Sequence, residues 1–181
     1  CACCPGNVTR FMASVPSYAY ATQQNDIYVN LYIQGKAEMQ TADNKVTLEQ
    51  TTEYPWNGKV TIKVTPEKEG KFAIRLRIPG WTKAAPVASD LYAYTDAAKK
   101  YTLKVNGSAT RGAEGDGYET IVRTWKAGDV IELEMPMDVR RIKANDKVEV
   151  DRGMVALERG PIMFCLEGKD QPDSIVFNKF I

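Results

Sequence analysis

The sequence predicts an all-β chain of sandwich type led by one short helix. Around nine short runs of alternating or β-rich residues are separated by Gly, Pro, Asn and Asp clusters, roughly every eight to twelve residues. Helical periodicity is confined to the start of the chain, so the βαβ rhythm of a parallel sheet is missing. At 181 residues with 44% hydrophobic and 26% charged content, the chain is large enough for one well-buried core.

Residues 1–24, CACCPGNVTRFMASVPSYAYATQQ, open as a helix, because Pro5 suits a first turn and Val8, Phe11, Met12 and Val15 recur at helical spacing. Pro16 should end it. From Asp26, Ile27, Val29, Leu31 and Ile33 alternate with Tyr28, Asn30, Tyr32 and Gln34, which predicts a strand. Residues 46–53 and 59–65 predict a hairpin around a Pro55–Gly58 turn, where the Asn57-Gly58 pair tolerates positive φ. In KFAIRLRIPGW, Phe72, Ile74, Leu76 and Ile78 share one face, expected in the core, until Pro79-Gly80 stops the run.

Residues 82–100 lack period-2 alternation and read as a loop excursion with at most one helical turn. Further strands are expected at 101–106, 118–124, 130–135, 138–143, 147–150 and 154–166, punctuated by Gly107, residues 112–117, residues 126–129 and Asn145-Asp146. A last apolar run, SIVF, lies near the end, and the chain stops mid-pattern as a piece of a longer polypeptide would. The expected organisation is a helical segment over 1–24 followed by a β-sandwich domain over 25–181.

Charge and composition remove several function classes. With 24 Lys and Arg against 23 Asp and Glu, the net charge of +1 supplies no field to gather nucleic acid or an anionic membrane, and neither is an expected partner. No apolar run approaches the roughly 20 residues that cross a bilayer, so a soluble chain is expected, with any export signal removed or lying upstream. Histidine is absent, which excludes a Ser/His/Asp triad, a Cys/His dyad or a His-ligated metal built from this chain alone.

Four cysteines remain, and Cys1, Cys3 and Cys4 crowd the first four residues. Thiolates are soft zinc ligands and nucleophiles, and thiols ahead of a Pro-started helix feel its positive end, which favours anions. Three such neighbours cannot surround one ion tetrahedrally, so further ligands must come from elsewhere. A disulfide framework is disfavoured by the strain of pairing adjacent cysteines. A lipid anchor on a first-residue Cys would want a polar tether where a helix begins. Inert thiols at a chain boundary are the third alternative. The balance favours part of a metal or catalytic site, while Cys165, in an apolar run, reads as core.

The segments CACCPGN, IYVNLYI, RLRIPGW, TWKAGDVIELEMPM and MVALERGPIMFCLE, in that order, resemble glycoside hydrolase family 127, formerly domain of unknown function family 1680, which includes β-L-arabinofuranosidases. The resemblance covers residues 1–167, and Cys-x-Cys-Cys-Pro is its specific part. It implies a catalytic (α/α)6 barrel followed by β-sandwich domains, so that residues 1–24 belong to the barrel. It also implies retaining hydrolysis by a zinc-bound cysteine, with a glutamate as general acid/base and further Glu and Cys zinc ligands from the barrel. By position in the motif, Cys3 corresponds to the nucleophile and a zinc ligand, and Cys4 to the neighbouring zinc ligand. The remaining ligands and the acid/base would lie upstream of Cys1, so this chain alone is expected to be inactive and to hold no zinc. The implied partners are the helical barrel and a plant-type glycan. Localisation inferred from that substrate is periplasmic or extracellular in a glycan-degrading bacterium, although reduced cysteines suit a cytoplasm.

Two internal alternatives are weaker. Glu132 and Glu134 share one face of a predicted strand, and Glu158 and Glu167 flank another, but alternating Glu on a strand is ordinarily the solvated face. Tyr28, Tyr32, Trp56, Trp81 and Trp125 could stack on sugar rings, although packing in a core or against a barrel explains them more simply. The competing function is therefore a non-catalytic carbohydrate-binding or structural interaction module.

Overall fold

The computed structural model describes residues 3–83 and 85–165. Helix α1 spans Cys3–Ser14 and passes into a single 3-10 turn, Val15–Tyr18, with Pro16 in its first turn, so the helix stops where the proline predicts. The strands that follow are β1 (Tyr20–Gln23), β2 (Asp26–Val29), β3 (Gly35–Gln40), β4 (Lys45–Thr52), β5 (Lys59–Pro66), β6 (Gly70–Arg77), β7 (Tyr92–Tyr94) and β8 (Thr102–Val105). After them come β9 (Ser108–Ala109), β10 (Ala113–Gly115), β11 (Tyr118–Trp125), β12 (Asp129–Glu134), β13 (Val139–Ala144), β14 (Ala156–Arg159) and β15 (Ile162–Phe164).

The chain forms two compact units. The first runs through Tyr54 and adds Lys59–Ile78 and Thr102–Glu134; the second comprises Pro55–Gly58, Pro79–Tyr101 and the residues from Met135 on. Period-2 alternation runs through both, which is why sequence texture over 25–181 does not mark the boundary.

The first unit is the β-sandwich. One sheet has the order β1-β2-β6-β11-β10 and the other β3-β4-β5-β12-β8-β9. All pairings in them are antiparallel except β2 with β6, which sets Ile27 beside Ile74 and Val29 beside Leu76. The inward residues are those expected: Phe72, Ile74, Leu76 and Ile78 are buried, as are Val46, Leu48, Ile62 and Val64 of the predicted hairpin. Each such aliphatic side chain contributes about 1.5–3 kcal/mol when fully buried. Trp125 closes β11 at 0% exposure, its ring 6.1 Å from that of Phe72 and its Nε1 donating to the Phe72 carbonyl at 3.1 Å.

The strand expected from Asp26 is shorter than its alternation suggests. It ends at Val29, and residues 30–34 carry the chain from the first sheet to β3 in the second. Changing sheets breaks the alternation, so Ile33 is exposed and Tyr32 takes the buried place, its hydroxyl donating to the Arg77 carbonyl at 2.6 Å. The short β9 and β10 follow from turns the sequence did contain. Asn106-Gly107 and Asp116-Gly117 each hold two successive residues at positive φ, the geometry of a type I′ hairpin turn.

The second unit is built on one sheet of order β15-β14-β13-β7. Strand β7 lies inside the region read as a loop, with Tyr94 opposite Ile142. Residues 147–150, expected as a strand, instead lead into a 3-10 turn at Glu149–Asp151. The side chain of Asn145 accepts from the Lys147 N–H at 3.1 Å and its carbonyl from Val148 N–H at 2.9 Å, a local turn that outcompetes strand pairing. Within the run expected over 154–166, residues 156–164 fold as the β14–β15 hairpin, turning at Gly160 with φ +60°. Cys165 follows β15 and is exposed, so it is not a core residue. Gly58 does not adopt positive φ; it is glycine because a Cβ there would run into the Met135 carbonyl, whose own N–H donates to Gly58 at 2.9 Å.

Candidate functional site

Cys3 and Cys4 occupy the first turn of α1, exposed, where Pro5 starts the helix without losing a needed hydrogen bond. Their sulfurs lie 3.7 Å apart. That separation is far beyond a disulfide bond of about 2.05 Å. It matches the edge of a tetrahedral zinc site, since two Zn–S bonds of about 2.3 Å at the tetrahedral angle put the sulfurs about 3.8 Å apart. The pair therefore fits as two of four ligands. Among the described residues no group of three or more His, Cys, Asp or Glu side chains gathers to complete such a site. Cys1 lies outside the described residues.

The rest of α1 presents an apolar stripe. None of its residues is buried, and Val8, Phe11 and Met12 are exposed on one helical face, with the Phe11 ring 6.5 Å from that of Tyr18. A 12-residue helix is marginal in water on its own. Its stripe has the character of a packing face.

Of the internal carboxylates, Glu132 and Glu134 lie on a solvated face as expected. Glu132 stands between Thr61 and Lys104, and Glu134 between Lys59 and Thr102, all exposed on the outer face of the six-stranded sheet. Glu158 accepts from the Tyr94 hydroxyl at 2.8 Å; Glu167 lies outside the described residues. The carboxylate that sequence reasoning missed is Glu119, only 1% exposed, which accepts from the Gly112 N–H at 2.5 Å. The signal was available, because Glu119 shares the inward parity of Ile121 and Trp125 on β11.

The five aromatics do not share one surface. Trp125 and Tyr32 are core residues, and Tyr28 meets Tyr118 edge to face at 5.4 Å on the sandwich. In the second unit, Trp81 is half-buried and lends its carbonyl to Arg140, while Trp56 is 69% exposed on a turn. Arg159 donates to the Trp56 carbonyl at 3.0 Å. Among the described residues no helix is long and apolar enough to cross a membrane.

Residues 26–137 match the family model described as β-L-arabinofuranosidase, glycoside hydrolase family 127 middle domain. Residues 139–179 match the family 127 C-terminal domain. The chain belongs to glycoside hydrolase family 127. The boundary between the two family 127 domains falls close to Met135, where the second compact unit resumes. A non-reducing end β-L-arabinofuranosidase of Bifidobacterium longum subsp. longum is 35% identical over 97% of this chain, which covers 25% of that protein. A solved family 127 β-arabinofuranosidase superposes with a TM-score of 0.88 at 47% identity, over 94% of this chain and 27% of its own. The family 127 β-L-arabinofuranosidase of Geobacillus stearothermophilus T6 gives a TM-score of 0.77 at 36% identity, over 90% of this chain and 24% of its own. The chain thus spans about a quarter of the length of the relatives it matches.

Proposed function

We propose that this chain is the C-terminal accessory β-sandwich portion of a zinc-dependent retaining glycoside hydrolase that acts on β-L-arabinofuranosides of plant-type glycans. In this reading α1 packs with a helical catalytic domain and delivers Cys3 as nucleophile, with Cys3 and Cys4 as two zinc ligands. The supporting observation is the pair of sulfurs 3.7 Å apart in the first turn of a helix with an exposed apolar stripe, on a family 127 chain. Bound zinc would keep the two thiols ionised at neutral pH. The Cys3 thiolate attacks the anomeric carbon, an S–C bond forms as the glycosidic C–O bond breaks, and a carboxylic acid supplied from outside this chain protonates the departing oxygen. Water then cleaves the S–C bond with that group as base, returning the thiolate with net retention.

Because the acid/base lies elsewhere, the 181-residue chain by itself should be catalytically inert. In the protein extended to the length of its relatives, an aryl β-L-arabinofuranoside should be hydrolysed, and Cys3→Ala should abolish that activity. Undiminished turnover by Cys3→Ala would reject the assignment. A plant-type glycan substrate would suit a periplasmic or extracellular enzyme, and the reduced cysteines a cytoplasmic one.

A second reading, a non-catalytic carbohydrate-binding or structural module, is favoured by Trp56. Its ring is exposed on a turn whose carbonyls are held by Arg159 and by the Met135 N–H. Calorimetry of the 181-residue chain with arabinan oligosaccharides separates the two. Heat that disappears in Trp56→Ala supports the module, and silence sets it aside.

A further inference from the structure

The two sheets of the sandwich carry chemically different outer faces. On the six-stranded sheet, Glu49 stands between Lys36 and Lys63, and Glu132 between Thr61 and Lys104. These side chains are exposed and alternate in sign across strands, the pattern of a face suited to water.

The five-stranded sheet is built otherwise. Tyr28, Arg75 and Thr120 form one outward row and Arg77 with Tyr118 the next. Arg75 lies 5.3 Å over the Tyr28 ring, pairs with Asp26 at 2.7 Å and donates to Thr120 at 3.2 Å. Tyr118 meets Tyr28 edge-on and donates to Asn30 at 2.7 Å. Beside Ala73, Val122 is 58% exposed. Apart from Asp26, which is paired with Arg75, and Lys71 at the start of β6, tyrosine, arginine and small or aliphatic side chains predominate on this face, which is the composition of an interface core. The polar atoms of Tyr28, Arg75 and Tyr118 are already hydrogen-bonded on this sheet, so docking over them would freeze few rotamers and strand few hydrogen bonds.

We infer that the outer face of the five-stranded sheet, centred on Tyr28, Arg75, Tyr118 and Val122, is the docking face for the part of the longer family 127 polypeptide that this chain does not span. This rests on the reading of the chain as an accessory portion of a larger hydrolase. Two observations select that occupant. The matched relatives are about four times as long as this chain, which covers 25% and 27% of two of them. The segment leading out of α1 is also tied to this face, because Asn30, held by Tyr118, donates to the Tyr18 carbonyl at 3.3 Å.

Hydroxyl-radical footprinting with mass spectrometry, comparing the 181-residue chain with the full-length protein that contains it, tests the inference. Tyr28 and Tyr118 should be modified severalfold less in the longer protein, while amine labelling of Lys36 and Lys63 stays the same. Val122→Arg should restore modification of both tyrosines in the longer protein and leave the unfolding midpoint of the 181-residue chain unchanged. Protection confined to the six-stranded face would overturn the choice of face but keep the accessory reading. Equal labelling everywhere would overturn both. Concentration-dependent protection within the 181-residue chain would assign the face to a second copy and reject the inference. Protection together with an inactive full-length protein would keep the docking face and remove the glycosidase reading.

Discussion

The guanidinium carbon of Arg140 stands 3.2 Å from the centroid of the Tyr94 ring. Stacked there, Arg140 donates to the carbonyls of Trp81 and Lys83 at 3.1 Å and of Asp96 at 3.2 Å. One side chain on β13 thus gathers the ends of a long excursion with little regular structure. Burial, then the Glu158 hydrogen bond, raises the Tyr94 hydroxyl above the ordinary tyrosine range, so Tyr94 stays neutral under the cation.

Arg140→Met should therefore cost about 2–4 kcal/mol, because three carbonyls lose a donor and the ring loses its cation. Arg140→Lys should recover little, since an ammonium lacks the planar fork that spans all three. Urea unfolding of each variant checks this, and a loss within error of zero would show that the excursion is held by other contacts.

Gly58→Ala should be destabilising by about 2 kcal/mol or more, since its Cβ meets the Met135 main chain, which cannot yield as a side chain tip would. Gly80→Ala, where nothing lies within 4 Å of the new carbon, is the control and should change stability little. The contrast is read from paired thermal unfolding curves.

Arg141 donates to Asp96 from both its side chain and its backbone N–H, and these bonds hold the Asp96 carboxyl well below the usual carboxylate range. A depressed folded-state value means the contribution is complete above the unfolded pKa of about 4 and is lost as pH falls through the folded value. Wild-type stability should decline through the region below about pH 4, and Asp96→Asn should flatten that decline. Identical acid limbs in the two proteins would assign the loss to other groups, Asp129 first among them. Burial alone would raise Asp129, but Asn106, the Lys126 N–H and nearby Arg123 together lower it.

Tyr32→Phe removes the hydroxyl that donates to the Arg77 carbonyl in the sandwich interior, and should cost about 1–2 kcal/mol. Burial first, with the neighbouring Tyr54 adding to it, drives this phenol far above the ordinary tyrosine range. No ionisation of Tyr32 should be visible in an ultraviolet titration before alkaline unfolding.

Legibility of the fold followed local physics. Where a strand stays in one sheet, as with Val46 to Val64 and Phe72 to Ile78, alternation alone places the side chains. It fails at Leu31 and Ile33, where the chain changes sheets, and at residues 147–150, where Asn145 offers the backbone a nearer partner. Cys165 reads as core by composition but sits past the end of β15, where it is exposed. Of the site, the two thiols and their helix are legible because Pro5 and the 3.6-residue spacing are local features. Among the described residues no third His, Cys, Asp or Glu side chain joins the two thiols, so no local pattern there marks a further ligand.

The proposed mechanism turns on the sulfur of Cys3. In the full-length protein turning over an aryl β-L-arabinofuranoside, rapid acid quench and peptide mass spectrometry should find a pentosyl adduct on the Cys3 peptide, and that adduct should be absent in Cys3→Ala. An adduct on a carboxylate, or undiminished turnover in Cys3→Ala, would contradict the account.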